Sequence, residues 1–163
     1  MKLIVAVSEN WGIGKDNGLL FSIPTDMKFF RETTKGHTVV MGRKTLESFP
    51  GGKPLKNRLN IVLSKNLPEG EGYTVVRGPE ELLETLKSVD GEVFIIGGES
   101  VYRLLLPYAD TALVTKVSAS VPADSFMPDL DKDAQWRLES KSEPVFENGL
   151  EFSFCTYKRV LGE

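Results

Sequence analysis

The sequence predicts an α/β domain with a mainly parallel sheet and an antiparallel C-terminal edge. Three observations carry that reading. Apolar runs of strand length recur along the chain, most of them nearly continuous in Val, Ile and Leu, the pattern of strands covered on both faces. Capped or amphipathic stretches of helical length fall between them. Near the end, Asn148-Gly149 separates two further strand-like stretches and is a strong hairpin signal.

The first run, Leu3 to Val7, is too short for the apolar region of a signal peptide and has no convincing cleavage site after it, so it reads as a buried strand. A glycine-rich loop follows, from Gly14 through Gly18 to Leu20. Gly12-x-Gly14-x-x-x-Gly18 misses the GxGxxG dinucleotide spacing by one residue, and no GxxxxGK[ST] motif is present. Pro24 fixes its own φ and disfavours helix at Ile23, and Thr25 is a good N-cap, so a helix is expected over Asp26 to Thr34.

Thr38 to Met41 is the next strand, and a short helix from about Lys44 to Phe49 follows it. Strands at Leu59 to Leu63 and Tyr73 to Val76 lead to the clearest helix, Pro79 to Val89. It has proline in its first turn, acids near its start, and Leu82, Leu83 and Leu86 on one side. Val93 to Ile96, the helix Glu99 to Pro107 and the strand Ala112 to Val117 complete the alternation. Trp136 to Phe146 and Leu150 to Tyr157 form the hairpin.

The chain has 163 residues and a formal net charge of -3, which suits one domain spanning 1–163 and argues against a nucleic-acid or anionic-membrane surface. No apolar stretch reaches membrane-spanning length. The single Cys155 excludes an internal disulfide, and with one histidine, His37, neither a Cys/His zinc site nor a Ser-His-Asp centre can be assembled. No metal is expected. A cytoplasmic monomer is, because no apolar surface stripe demands a partner.

Asp26 is the candidate reactive group. Met27 and Phe30 share its helix face, and a carboxyl against an apolar wall has its pKa raised by desolvation. An acid in a first turn also complements the helix dipole and needs no other role. Ligands of open α/β sheets bind beyond the carboxyl ends of the strands, so the residues after each strand matter next. Gly42-Arg43-Lys44-Thr45, Ser64-Lys65 and Arg77-Gly78 bring cations and hydroxyls to three such exits, suited to a phosphate group. Singly, each is better read as a solvated surface residue; their repetition at three exits is what brings the phosphate reading level with it.

Gly97-Gly98, between a strand and a helix, allows close approach of backbone to a pyrophosphate, or serves only a tight turn. Arg58, near Leu55 and Phe49, can grip a carboxylate in two-pronged fashion, or sit in a surface ion pair. Each of these features has two readings when taken by itself.

In their order and spacing, the matching segments resemble the dihydrofolate reductase family, from Leu3 to Lys158. They are Ile4-Val5-Ala6, Gly12-Ile13-Gly14 with Asn17-Gly18-Leu19, Ile23 to Phe30, Val40 to Thr45 with Glu47-Ser48, Asn60 to Ser64, Ile96-Gly97-Gly98 with Val101-Tyr102, and Thr115. The resemblance implies a largely parallel eight-stranded sheet with flanking helices and an antiparallel C-terminal strand. It implies NADPH-dependent reduction of 7,8-dihydrofolate, with hydride passing from nicotinamide C4 to pteridine C6 and a proton added at N5. Antifolates are then expected inhibitors.

By the same resemblance, Asp26 holds the pteridine N3 and 2-amino group, with Thr115 in its hydrogen-bond network. Val5, Ala6, Met27, Phe30, Phe49, Leu55, Ile96 and Tyr102 wall the pocket, and Arg58 takes the α-carboxylate of the glutamate tail. The cofactor falls to Ala6, Ile13, Gly14, Asn17, Gly18, Leu19, Gly42, Arg43, Lys44, Thr45, Leu63, Ser64, Lys65, Arg77 and the run Gly97, Gly98, Glu99, Ser100, Val101, Tyr102. The Gly97-Gly98 peptide is expected cis, and Gly14 to Leu20 becomes a lid over the nicotinamide.

Four departures from the family stand out. Phe21 replaces a usual tryptophan and Leu20 a common proline. Glu99 places a charge near the cofactor phosphates unless it points to solvent, and Ala123-Asp124 replaces a glycine-acid latch for the lid. A related reductase, such as that of riboflavin synthesis, differs in substrate rather than cofactor. A nucleotide-binding module without catalysis explains the basic exits but leaves Asp26, Phe30 and Arg58 without a purpose.

Overall fold

The computed structural model describes residues 1–160; the last three residues of the expected domain lie outside it. Strands β1 (Lys2–Val7), β4 (Thr38–Gly42), β5 (Leu59–Leu63), β6 (Tyr73–Val76), β7 (Val93–Gly97) and β8 (Thr111–Val117) carry the apolar runs. The short β2 (Gly12–Lys15) and β3 (Gly18–Leu19) fall in the glycine-rich loop, and β9 (Ser125–Phe126) comes after β8. The last three are β10 (Trp136–Lys141), β11 (Val145–Glu147) and β12 (Leu150–Arg159). Helices α1 (Pro24–Thr34), α2 (Arg43–Ser48), α3 (Pro79–Leu86) and α4 (Glu99–Leu105) alternate with them.

The main sheet runs β10-β12-β8-β1-β7-β4-β5-β6, with β11 also paired to β12. From β8 to β6 every pairing is parallel, and the pairings of β12 are antiparallel. The eight-stranded, mainly parallel expectation holds along this path. Both faces are covered: Leu3, Val7, Val40, Ile61 and Ile95 pack in one apolar cluster, and Ile4, Val39, Met41, Val62 and Phe94 in another. Alternating side chains thus split each continuous apolar run between two cores, which is why those runs show no polar face.

The C-terminal segment differs from a simple hairpin. Trp136 to Phe146 is two strands, because Pro144 has no N-H to donate and the Ser142 hydroxyl accepts the Phe154 amide instead, at 2.8 Å. The Asn148-Gly149 turn is as expected, with φ of 52° and 76°. His37 is structural: its Nδ1 accepts from the Glu92 amide at 3.2 Å and its ring packs edge-on to Phe94. Cys155 is buried in the core.

Candidate active site

α1 organises the site. It begins two residues earlier than its sequence implied, at Pro24 rather than Asp26, with Ile23 in the cap position, because proline is preorganised for the first helical residue. Thr25 is therefore not the cap. Its amide and hydroxyl both donate to the Glu147 carboxylate, at 2.9 and 2.6 Å, so an acid from the C-terminal hairpin holds the helix start. Glu147 lies 122 residues away in sequence, and no local pattern pointed to it.

Asp26 follows in the first turn, half-buried, and its Oδ1 accepts from the Thr115 hydroxyl at 2.6 Å. Thr115 is buried on β8 opposite Ala6 of β1, so a helix and two central strands meet at one carboxyl. Burial raises the Asp26 pKa above the ordinary carboxylate range, and the Thr115 hydrogen bond, which favours the anion, opposes it. Thr115→Val removes the opposing effect. The midpoint of any Asp26-dependent pH profile is then expected to move to higher pH; an unchanged midpoint would mean that the bond does not tune Asp26.

Phe30, Phe49, Leu55 and Ile96 pack around one cluster beside Asp26's helix, with Ile4 and Phe94 among its buried members. Two expected wall residues lie outside that cluster. Val5 packs into the cluster on the opposite face of the sheet, because alternation along β1 turns it away. Met27 is 43% exposed and joins neither cluster. The β1 residue that joins the two sides is Ile4, which the sequence reading left out: its carbonyl accepts from the buried Tyr102 hydroxyl at 2.8 Å.

At the far end of α1, Thr34 Oγ1 donates to the Phe30 carbonyl at 2.8 Å and accepts from Arg58 Nε at 2.8 Å. Arg58 also donates to the carbonyls of Lys56 and Arg31, at 2.6 and 3.3 Å. A guanidinium has five N-H groups, so one on each terminal nitrogen remains for an outside acceptor. Burial and the neighbouring Arg31 both lower the Arg58 pKa, surroundings that an incoming carboxylate relieves. The loop before it is fixed by buried Asn60, which bonds both backbone groups of Leu55 and the carbonyl of Arg58.

The expected cofactor residues gather at the strand exits. Gly42 and Val101 nearly touch: a Cβ on Gly42 would lie 3.1 Å from Val101 Cγ2. Thr45 Oγ1 stands 3.4 and 3.5 Å from where side chains on Gly97 and Gly98 would begin, which is van der Waals contact, so the α2 hydroxyl lines the glycine pair. Gly97 has a φ of 130°, which favours glycine, and the Gly97-Gly98 peptide is cis. Two basic residues already have partners: Arg43 grips Glu47 with both carboxylate oxygens within 2.9 Å, and Arg77 donates to the carbonyls of Ser64 and Leu67. Lys44 and Lys65 are exposed beside them. The residues present fit an elongated, phosphate-bearing dinucleotide.

The glycine-rich loop is ordered as a hairpin. β2 and β3 pair through a turn in which Asp16 and Asn17 both have positive φ, a conformation short polar side chains tolerate. Leu19 at its end is 79% exposed, and the Asn17 side-chain Nδ2 donates to the Lys44 carbonyl at 3.3 Å. β9 backs this hairpin, and the Asp124 carboxylate accepts the Asp16 amide at 2.9 Å. The Ala123 Cβ sits 2.8 Å from the place of a Gly12 Cβ, so a side chain at position 12 would collide with it. Phe21 packs into a satellite cluster with Ile23, Val117 and Phe152, so the ring anchors the chain just after the glycine-rich hairpin.

These features match known proteins over the whole chain. The family model for dihydrofolate reductase covers residues 1–159. The chain belongs to the dihydrofolate reductase family. It is 36% identical over 163 residues to dihydrofolate reductase of Bacillus subtilis, with 98% of this chain and 94% of that protein aligned. Dihydrofolate reductase of Schistosoma mansoni is 40% identical over 176 residues, covering 96% and 95%. The structure of dihydrofolate reductase from Enterococcus faecalis, complexed with NADP(H) and RAB-propyl, superimposes with a TM-score of 0.87 at 33% identity, over 97% and 95% of the two chains.

The family reduces dihydrofolate to tetrahydrofolate with NADPH, and this chain is an oxidoreductase of that kind. Among the described residues, no helix is long and apolar enough to cross a membrane.

Proposed function

We propose that the chain reduces 7,8-dihydrofolate with the pteridine held at Asp26 and the glutamate carboxylate held at Arg58. One observation carries this reading: α1 carries Asp26 in its first turn and holds Arg58, from the loop before β5, at its last. Thr34, which orients Arg58, follows Asp26 by eight residues, about 12 Å along a helix, a span suited to a flat heterocycle at one end and a carboxylate at the other. Phe30, Phe49, Leu55 and Ile96 supply the apolar wall between them. The same cleft admits antifolates.

NADPH supplies the hydride, from nicotinamide C4 to pteridine C6. The chain's own part is orientation and electrostatics. Asp26 pairs with the pteridine N3 and 2-amino group and favours a proton at N5; burial raises its pKa and the Thr115 hydrogen bond opposes that rise. The lid hairpin and the Gly97-Gly98 shelf enclose the nicotinamide and exclude water. Thr45, Lys44, Lys65 and Arg77 surround the adenosine end, and Arg43 joins them by exchanging Glu47 for the 2′-phosphate.

Loss of NADPH absorbance with dihydrofolate, compared with NADH and with no folate, tests the reading; no folate-dependent loss would overturn it. Arg43→Ala is expected to weaken NADPH far more than NADH, by roughly 1 to 3 kcal/mol if the contact is charge-assisted. Equal weakening of both would place the phosphate elsewhere.

A further inference from the structure

Glu99 is the departure that the reaction leaves unexplained. A carboxylate just after the glycine shelf ought to repel cofactor phosphates, yet its Oε1 accepts the Phe126 amide at 2.8 Å and its Oε2 lies 3.6 Å from Arg103 Nε. That amide needs an acceptor from outside the lid sheet. β9 pairs with β2 across a bulge between Gly12 and Gly14. On either side of Phe126, the Asp124 amide reaches the Gly14 carbonyl and the Met127 amide reaches the Trp11 carbonyl, both at 2.9 Å. The Phe126 N-H bonds Glu99 instead.

We infer that Glu99 is a positioning residue that ties cofactor seating at the Gly97-Gly98 shelf to closure of the lid, an inference that rests on the function proposed above. The ties form a closed circuit. Glu99 leads from α4 to Phe126 on β9, and β9 holds the lid through β2 and through Asp124 to the Asp16 amide. The lid tip returns through Asn17 to the Lys44 carbonyl on α2, and α2 starts at Gly42, packed against Val101 of α4. A cofactor that settles α4 and α2 therefore settles both ends of the lid's support. The carboxylate acts here as an oriented acceptor, so a neutral amide should replace it.

The test compares Glu99→Ala with Glu99→Gln in the full chain. Without cofactor, Glu99→Ala is expected to speed amide hydrogen exchange at Phe126 and Asp16 by about tenfold, with the core amides of Leu3 and Ile95 unchanged and Glu99→Gln close to the parent. With NADPH, the alanine variant should release cofactor about fivefold to tenfold faster, while glutamine restores the parental rate. Adenosine 2′,5′-bisphosphate, which lacks the nicotinamide half, should bind all three proteins equally.

Parental exchange and release in Glu99→Ala would overturn the inference, and so would faster exchange in the core as well as the lid. Tighter binding of NADPH and the bisphosphate by both variants would also overturn it, since Glu99 would then act only as a repelling charge. Failure of the parent chain to bind NADPH would instead overturn the proposed function, with the exchange measurements still reporting on the lid tie.

Discussion

Asp26→Asn is expected to lose turnover at neutral pH by about 10²- to 10⁴-fold, the usual worth of a positioned proton-handling group. The same variant should be more thermally stable than the parent at that pH. Burial raises the Asp26 pKa in the folded protein, so between the unfolded and folded values the native state binds this proton more tightly than the unfolded chain. Its contribution to stability therefore falls as pH rises through that window and is least favourable where the folded carboxyl is ionised.

An amide has no charge to desolvate and still offers an oxygen to the Thr115 hydroxyl. The stability gain should be greatest where the folded carboxyl is ionised and fade as pH drops below the ordinary carboxyl range, near 4. Melting curves across that range check it. The activity deficit should shrink in the same direction, as solvent supplies the proton. Near-normal turnover across pH would remove Asp26 from proton handling, and a melting temperature unchanged at every pH would show that the buried charge costs nothing.

The second large effect is at Arg58. Arg58→Lys keeps the charge but loses the planar fork, and an ammonium cannot satisfy Thr34, Lys56 and Arg31 while presenting two parallel donors to a carboxylate. KM for dihydrofolate should rise by roughly 10- to 100-fold, the equivalent of about 1.5 to 3 kcal/mol for a charge-assisted contact. Turnover at saturation should change much less, because the lost contact is made equally in ground and transition states. A folate analogue without the glutamate tail should bind parent and variant alike. If it discriminates between them, Arg58 acts by holding the loop rather than the ligand.

Much of the site was visible as residue types in suggestive places, and the structure decided which of them meet. Asp26 was a carboxyl on an apolar helix face, and only the β8 strand shows that Thr115 shares its proton-accepting oxygen. Met27 followed from helical spacing, but spacing cannot say that this side of the turn ends in solvent. Val5 and Ile4 are adjacent in an unbroken apolar run, so alternation could not choose which faces the pocket until the strand had neighbours. Arg43 and Arg77 were legible as cations at strand exits, yet their present partners, Glu47 and the 64–67 turn, come from side-chain geometry.

By itself the sequence determined what depends on neighbours along the chain. Continuous apolar runs bounded by capped helices specify strands buried on both faces, Pro24 specifies that a helix follows it though not its first residue, and Asn148-Gly149 specifies a turn. These are local preferences, written in residues a few positions apart. Tertiary structure alone decided the long-range polar ties: Glu147 on the start of α1, Asn60 under the Arg58 loop, Glu99 on the back of the lid. Each joins a carboxylate or an amide to a backbone group that has no partner within its own element. An unmet hydrogen bond is a property of the assembled fold, and no residue pattern announces where one will fall.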